Sequence, residues 1–255
     1  MVHKQLLKVT AIISTGTIIV IFLLMAINWP KPITTELTNA PSDDAYSVRA
    51  TQDIVDLYAT LSVRWLSGNS CSPPCWEGIM PGQTTLKDAV DLLQNNPLIG
   101  QLTIYADENR PNSGEISWNW PGVEKRGGRV FYAPIGDVAE SVVYAIWPGF
   151  GEGIRLGEVI QAFGEPSHVK IREVTILEPP APREAWHTYT LIWIENGFLV
   201  RGAPVSQTKI DDDFVIYTIG LFEPSMEGYL ALEGNSGADS VLWHGYDDAN
   251  TYFVP

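Results

Sequence analysis

Cys71 and Cys75 are the first residues whose type and spacing could do chemistry. They are the only cysteines in the chain, separated by Ser72-Pro73-Pro74. Such a pair can be a structural disulfide, a redox couple or half of a zinc site. A redox couple usually has two intervening residues and stands beside a βαβ pattern. Zinc would need two further ligands, and His168, His187 and His244 are scattered along the chain. An isolated pair outside the cytoplasm oxidises. The expectation is a disulfide that adds modest stability, since the loop it closes is short, and no metal centre.

The remaining polar groups suggest little catalysis. Asp211-Asp212-Asp213 and Asp247-Asp248 are acidic clusters. A calcium loop alternates oxygen ligands with a glycine turn and a terminal carboxylate. Neither cluster has that spacing, so both read as solvated turns. No Ser/His/Asp arrangement carries a nucleophile elbow, and Gly149, Gly151 and Gly153 lack the lysine and serine of a phosphate-binding loop. They read instead as a turn. A glycosidase carboxylate pair has only tertiary geometry, and 30 acidic residues single out none. No catalytic residue and no cofactor is assigned. Trp118 and Trp120, two apart on a strand, share a face. They form either an aromatic platform for a partner or a sugar, or core packed under a helix.

The elements that position these residues begin with an anchor. No residue between Lys8 and Lys31 is ionisable, and Val9 to Trp29 is one largely apolar run. As a helix it would be about 31 Å long, close to the bilayer hydrocarbon thickness. Lys4 and Lys8 precede it and only Lys31 follows closely, which favours a cytoplasmic N-terminus. A cleaved signal peptide has a shorter apolar core followed at once by small residues, whereas Asn28-Trp29-Pro30 follows here. The reading is an uncleaved signal anchor at 9–29. It leaves residues 1–8 in the cytoplasm and a polar extracytoplasmic linker over 30–48, rich in Pro, Thr, Asn, Ser and Asp. The protein is then a single-pass cell-membrane protein with its C-terminal part outside the cytoplasm.

All 30 acidic residues follow Trp29, as do all 16 basic residues except Lys4 and Lys8. The outer part is therefore two charges more negative than the whole chain's −14. Such a field repels phosphate backbones, so nucleic acid is not an expected partner.

Ile54, Leu57, Tyr58, Leu61 and Trp65 form a helical stripe, predicting a helix over 51–66 that docks onto a first sheet. Leu86, Ala89, Val90 and Leu93 give the i, i+3, i+4, i+7 face of a second helix. Thr85 can cap it, Asp88 stands at its third position, and Asn95-Asn96-Pro97 ends it. The same apolar template returns 70 residues later at Leu156, Val159, Ile160 and Phe163, closed by Gly164-Glu165-Pro166. Strand-like stretches follow each helix: 101–105, 115–120, 129–132 and 138–147, then 168–174, 188–194, 198–201 and 214–221. Glu195-Asn196-Gly197 is a hairpin signal. The expected fold is α+β: an N-terminal transmembrane helix followed by two tandem helix-plus-antiparallel-sheet units. The first unit would span 49–150 and the second 151–255 with a C-terminal extension.

The Pro81-Gly82 turn, the short helix and the Gly-x-Pro stop before aromatic strands resemble the BamE/SmpA and beta-lactamase-inhibitor-protein-like fold. The stretch from Cys71 to Gly82 resembles uncharacterised bacterial exported proteins with a Pro-Cys-Trp-x-Gly-Ile-x-Pro-Gly sequence. The first unit departs from the pattern at Asn95-Asn96-Pro97. The resemblance implies no catalytic residues. Together these observations predict a membrane-anchored, extracytoplasmic, non-enzymatic protein that binds another protein or a cell-envelope component. The alternatives are an inhibitor of an exported hydrolase, implied by the resemblance alone, and a carboxylate-dependent hydrolase.

Overall fold

A computed structural model describes residues 49–69, 71–110, 112–121, 127–134, 140–150, 153–175, 185–202 and 209–252. Helix α1 (Arg49–Leu66) carries the first apolar stripe, and its Tyr58, Leu61 and Trp65 are buried. Helix α2 (Leu86–Gln94) starts where Thr85 Oγ1 accepts the Asp88 N–H at 3.1 Å, satisfying one orphan donor of the first turn. Ala89 and Leu93 are its buried residues.

Strands β1 (Leu102–Ala106), β2 (Gly114–Trp118), β3 (Arg129–Pro134) and β4 (Ser141–Trp147) then form an antiparallel meander. Short β5 (Ile154–Arg155) leads into α3 (Leu156–Phe163). The carboxylate of Glu158 accepts the Arg155 N–H there, and Gly164 at φ 80° ends the helix. A second meander follows: β6 (His168–Thr175), β7 (Ala185–Trp193), β8 (Phe198–Gly202) and β9 (Val215–Phe222). Helix α4 (Met226–Glu233), capped by Ser225, a 3₁₀ turn (Gly234–Asp239), β10 (Val241–Leu242) and one helical turn (Ala249–Tyr252) complete the described chain.

The fold expected from sequence, two units each with its own sheet, is corrected by the strand order. The last strands of the two meanders pair with each other, Ala145 opposite Phe222 and Ile146 opposite Leu221. One sheet of ten strands results, in the order β1-β2-β3-β4-β9-β8-β7-β6-β10, with β5 paired to β9. The physical reason is the edge problem. Two separate four-stranded sheets would each expose the unpaired backbone groups of their last strand, and joining β4 to β9 satisfies both. The transmembrane helix of that expected fold is not seen among the described residues, where no helix is long and apolar enough to cross a membrane. Residues 9–29 lie outside the described residues.

Packing makes the single sheet a single body. Residues on one face of both meanders, among them Ile116, Val130, Ile146, Leu221, Phe198, Val200 and Leu191, share one core with α1, α2 and α3. Helix α1 does not dock on the first meander alone. Its Trp65 ring lies 4.9 Å from Phe163 of α3 and 5.4 Å from Phe198 of β8. Successive strand residues point to opposite faces. Accordingly Ile192, Leu199 and Phe222 face the other way and meet Tyr229 of α4. The two faces of the sheet are thus covered differently, and that difference creates the candidate site.

Candidate functional site on the open face of the sheet

Cys71 and Cys75 stand where the sequence leads one to expect. Their sulfurs are 2.11 Å apart, a bonded distance, and their Cα atoms 5.5 Å. The small loop they close leads straight into Trp76 and Ile79, which exchange backbone hydrogen bonds of 2.9 Å. Arg64 of α1 donates to both oxygens of Glu77 at 2.9 and 3.1 Å. The disulfide closes the loop and leaves no free thiol, while the Arg64–Glu77 pair ties that loop to α1.

Trp118 and Trp120 do share a face, but it is the core face. They are only 3% and 1% exposed. Trp118 stacks on Trp76 at 5.0 Å, and Trp120 meets both rings edge-on. The platform reading of these two residues is corrected accordingly. Trp118 lies in register with Leu102, and Ile116 with Val130, so the parity that aligns the two tryptophans also aligns them with the core. The aspartate clusters are turns: Asp211 Oδ1 accepts the Asp213 N–H at 3.1 Å, and Asp247 Oδ1 the Asp248 N–H at 2.7 Å. Asp213 also pairs with Arg155, and Asp212 accepts the Tyr246 hydroxyl. Gly149 and Gly153 adopt positive φ, while Gly151 lies outside the described residues. Among the described residues no group of three or more His, Cys, Asp or Glu could hold a metal ion.

Two depressions of the described surface are candidate sites. The larger, about 690 Å³, lies where α1, the cysteine loop and the end of α2 meet; Arg64, Glu77, Asp88, Asp91 and Leu92 line it. Arg64 and Glu77 are already engaged, because Arg64 binds Glu77 through both carboxylate oxygens and Asn96 Nδ2 points at the same carboxylate from 3.5 Å. This arrangement closes structure rather than awaiting a ligand.

The smaller depression, about 240 Å³, lies on the sheet face opposite the core, over β1 to β4. The register builds it residue by residue. Tyr105 pairs with Glu115, and Glu115 with Phe131 across three adjacent strands. A register shift between Phe131 and Tyr132 leaves Tyr144 as the extra residue of β4, since Phe131 pairs with Ala145 and Tyr132 with Val143. Bulges re-aim side chains, and the Tyr144 ring comes 6.2 Å from that of Phe131. Small residues make the floor: Ser113, Gly114 and Ala133. Gly114 has to be small, for a Cβ there would lie 2.0 Å from the Tyr105 carbonyl oxygen and 2.4 Å from the Tyr132 hydroxyl.

The polar groups of the rim are held in place. Asp107 Oδ1 accepts the Asn109 N–H at 2.9 Å, and its Oδ2 accepts Arg110 Nε at 2.6 Å. The backbone donor and then Arg110 hold the Asp107 carboxyl below the ordinary carboxylate range. Glu115 stands 3.6 Å from Arg129 Nε. Burial pushes the Tyr144 hydroxyl above its usual range, so it stays protonated at neutral pH and can donate or accept. The site offers aromatic faces, fixed carboxylate acceptors and guanidinium donors. Its described lining includes no histidine or cysteine.

Tyr105, Glu115, Phe131 and Tyr144 are not singled out by sequence reasoning. Alternation could have found the first three: once Leu102, Ile116 and Val130 are taken as core, their neighbours must point the other way. The bulge that turns Tyr144 toward them has no comparable signal. Compared with family models, curated proteins and solved structures, the chain matches none.

Proposed function

We propose that this chain is a membrane-anchored, extracytoplasmic binding protein without catalytic activity, and that the open face over β1 to β4 is where it binds. The observation that carries the reading is the aromatic pocket of Tyr105, Phe131 and Tyr144 on a face that, among the described residues, is left open beside the half that α4 covers. Tyr105 is 51% exposed, and a large amphipathic ring left in water at a built pocket is what recognition surfaces use. The bonded cysteine pair supports an oxidising compartment. The long uncharged run at 9–29 supports the anchor, and the resemblance of the Cys71-to-Gly82 stretch to exported proteins points to the same compartment. The partner on this reading is a protein or a cell-envelope component.

The test has two arms. Native membranes are washed with carbonate and the mature N-terminus is read by mass spectrometry; retention with a start at or near Met1 is expected, and a start near Pro41 would refute the anchor. The full chain in detergent is then screened against glycosides, peptides and esters. No turnover is expected. Robust turnover abolished by one carboxylate-to-amide change would replace binding by carboxylate-dependent hydrolysis.

A further inference from the structure

The pocket on the open face also indicates what it binds. We propose that it receives one sugar ring of a cell-envelope glycan, with the ring stacked on Tyr105, Phe131 and Tyr144 and its hydroxyls held by the Asp107–Arg110 pair and by Glu115. This rests on the binding reading above and narrows it to a ligand class.

Size is the first argument. A volume of about 240 Å³ is below the roughly 300–1,000 Å³ of pockets that enclose whole drug-sized ligands. It takes one ring and leaves the remainder of a longer molecule outside. Tyr105 and Phe131 flank Glu115 in register, so they stand two strand spacings apart, about 10 Å. A ring-shaped ligand bridging them lies above the Glu115 carboxylate. The apolar C–H faces of a pyranose stack on aromatic rings, which is why aromatic walls suit sugars as well as bases.

Charge is the second argument, and it separates a sugar from the main rival, a lysine or arginine of a basic protein. Aromatic cages that hold a cation attract it through the ring faces, and an unpaired carboxylate would strengthen them. Here both carboxylates already have guanidinium partners: Asp107 has Arg110 at 2.6 Å and Glu115 has Arg129 at 3.6 Å. Each carboxylate of the site thus has its charge countered by a neighbouring guanidinium, on a chain of net charge −14. Paired carboxylates and guanidiniums instead present acceptors and donors side by side. Vicinal hydroxyls need both, because each hydroxyl donates once and accepts.

The experiment titrates the full chain in detergent with soluble oligomers of N-acetylglucosamine, glucose and mannose, and separately with a lysine decapeptide, by calorimetry at low and high salt. Saturable binding of at least one oligosaccharide is expected, nearly independent of salt because no net charge is neutralised. Tyr105→Ala and Tyr144→Ala should each weaken it about tenfold, the size of one base-like stacking contact. Tyr217→Ala, an exposed tyrosine of β9 outside the pocket, should leave it unchanged. Tyr105 is half exposed, so its variant should keep the native circular dichroism and melting point even if Tyr144→Ala does not. Absence of saturable binding by every oligosaccharide overturns the proposal, as does binding indifferent to Tyr105→Ala. Salt-sensitive binding of the lysine peptide that Tyr105→Ala removes would overturn the glycan assignment while leaving the binding reading intact. Turnover of an oligosaccharide would overturn both.

Discussion

Lys170, Glu233 and Arg201 make the most consequential charged group at the scale of single residues. Lys170 on β6 is 2% exposed, and its ammonium lies 3.9 Å from a Glu233 carboxylate that is itself 5% exposed. Arg201 on β8 pairs with the other oxygen of Glu233 and lies over the Trp147 ring at 4.8 Å. Burial, then the nearby charge of Arg172, holds Lys170 below the ordinary lysine range. Removing the shared anion leaves the buried Lys170 ammonium without the Glu233 carboxylate, beside the partly exposed Arg201. Glu233→Ala should therefore cost about 3–5 kcal/mol, whereas Lys170→Met, which retains the Glu233–Arg201 pair, should be neutral or stabilising. Urea denaturation of both variants checks this. A second expectation concerns pH. Burial raises the hydroxyls of Tyr189 and Tyr229 from about 10 to about 12. Their stabilisation is fully present below pH 10 and is lost as pH rises toward 12, because the unfolded chain releases these protons first. Melting temperature measured across that window should fall with phenolate formation. A flat profile would mean that these two hydroxyls are not sequestered.

Helix α2 shows how local sequence and packing divide the work at the scale of elements. Thr85 supplies the cap and Asp88 the favourable charge in the first turn, while Ala89 and Leu93 supply the buried face. A nine-residue helix is too short to persist on propensity, so its docking holds it. Leu93→Ala should cost about 2–5 kcal/mol. Leu92, 39% exposed on the neighbouring position, should change stability by less than about 0.5 kcal/mol when truncated. Thr85→Ala should cost about 1 kcal/mol. Chemical denaturation of the three variants distinguishes them, and an equal loss at Leu92 and Leu93 would contradict the observed orientation of the helix.

The joined sheet sets the behaviour of the whole molecule. The β4–β9 seam and the shared core of both meanders leave no boundary at which half the structure could melt alone. The described body should unfold in one calorimetric transition whose van't Hoff and calorimetric enthalpies agree. A chain cut between residues 150 and 151 should not yield two independently folded halves. Two resolved transitions, or two soluble folded fragments, would refute that cooperativity. The covered and open halves of the far face follow from the same geometry: α4 lies over the seam region near Trp147, and β1 to β3 extend beyond its reach.

The elements themselves were legible in the amino-acid sequence. The eight strand stretches and the three helices before α4 fall within a few residues of those observed, because alternation, the 3.6-residue stripe, Thr85 and Gly164 are local signals. The cysteine pair was legible for the same reason, since only three residues separate its members. Helix α4, β5 and β10 carried no strong periodic pattern. Alternation could place Trp118 and Trp120 on one face but could not say which face was buried. That choice depends on Leu102 and Val130, which neighbour them only through strand pairing. The same holds for the candidate site. Tyr105, Glu115, Phe131 and Tyr144 are spread over 40 residues of chain, and only the register and one bulge make them neighbours. Sequence determined the pieces, since their signals act between residues close along the chain. Tertiary structure alone decided that β4 would meet β9, that two meanders would become one sheet, and that the part of its far face which the described helices leave uncovered would carry the aromatic pocket, because hydrogen bonding between distant strand edges leaves no local mark.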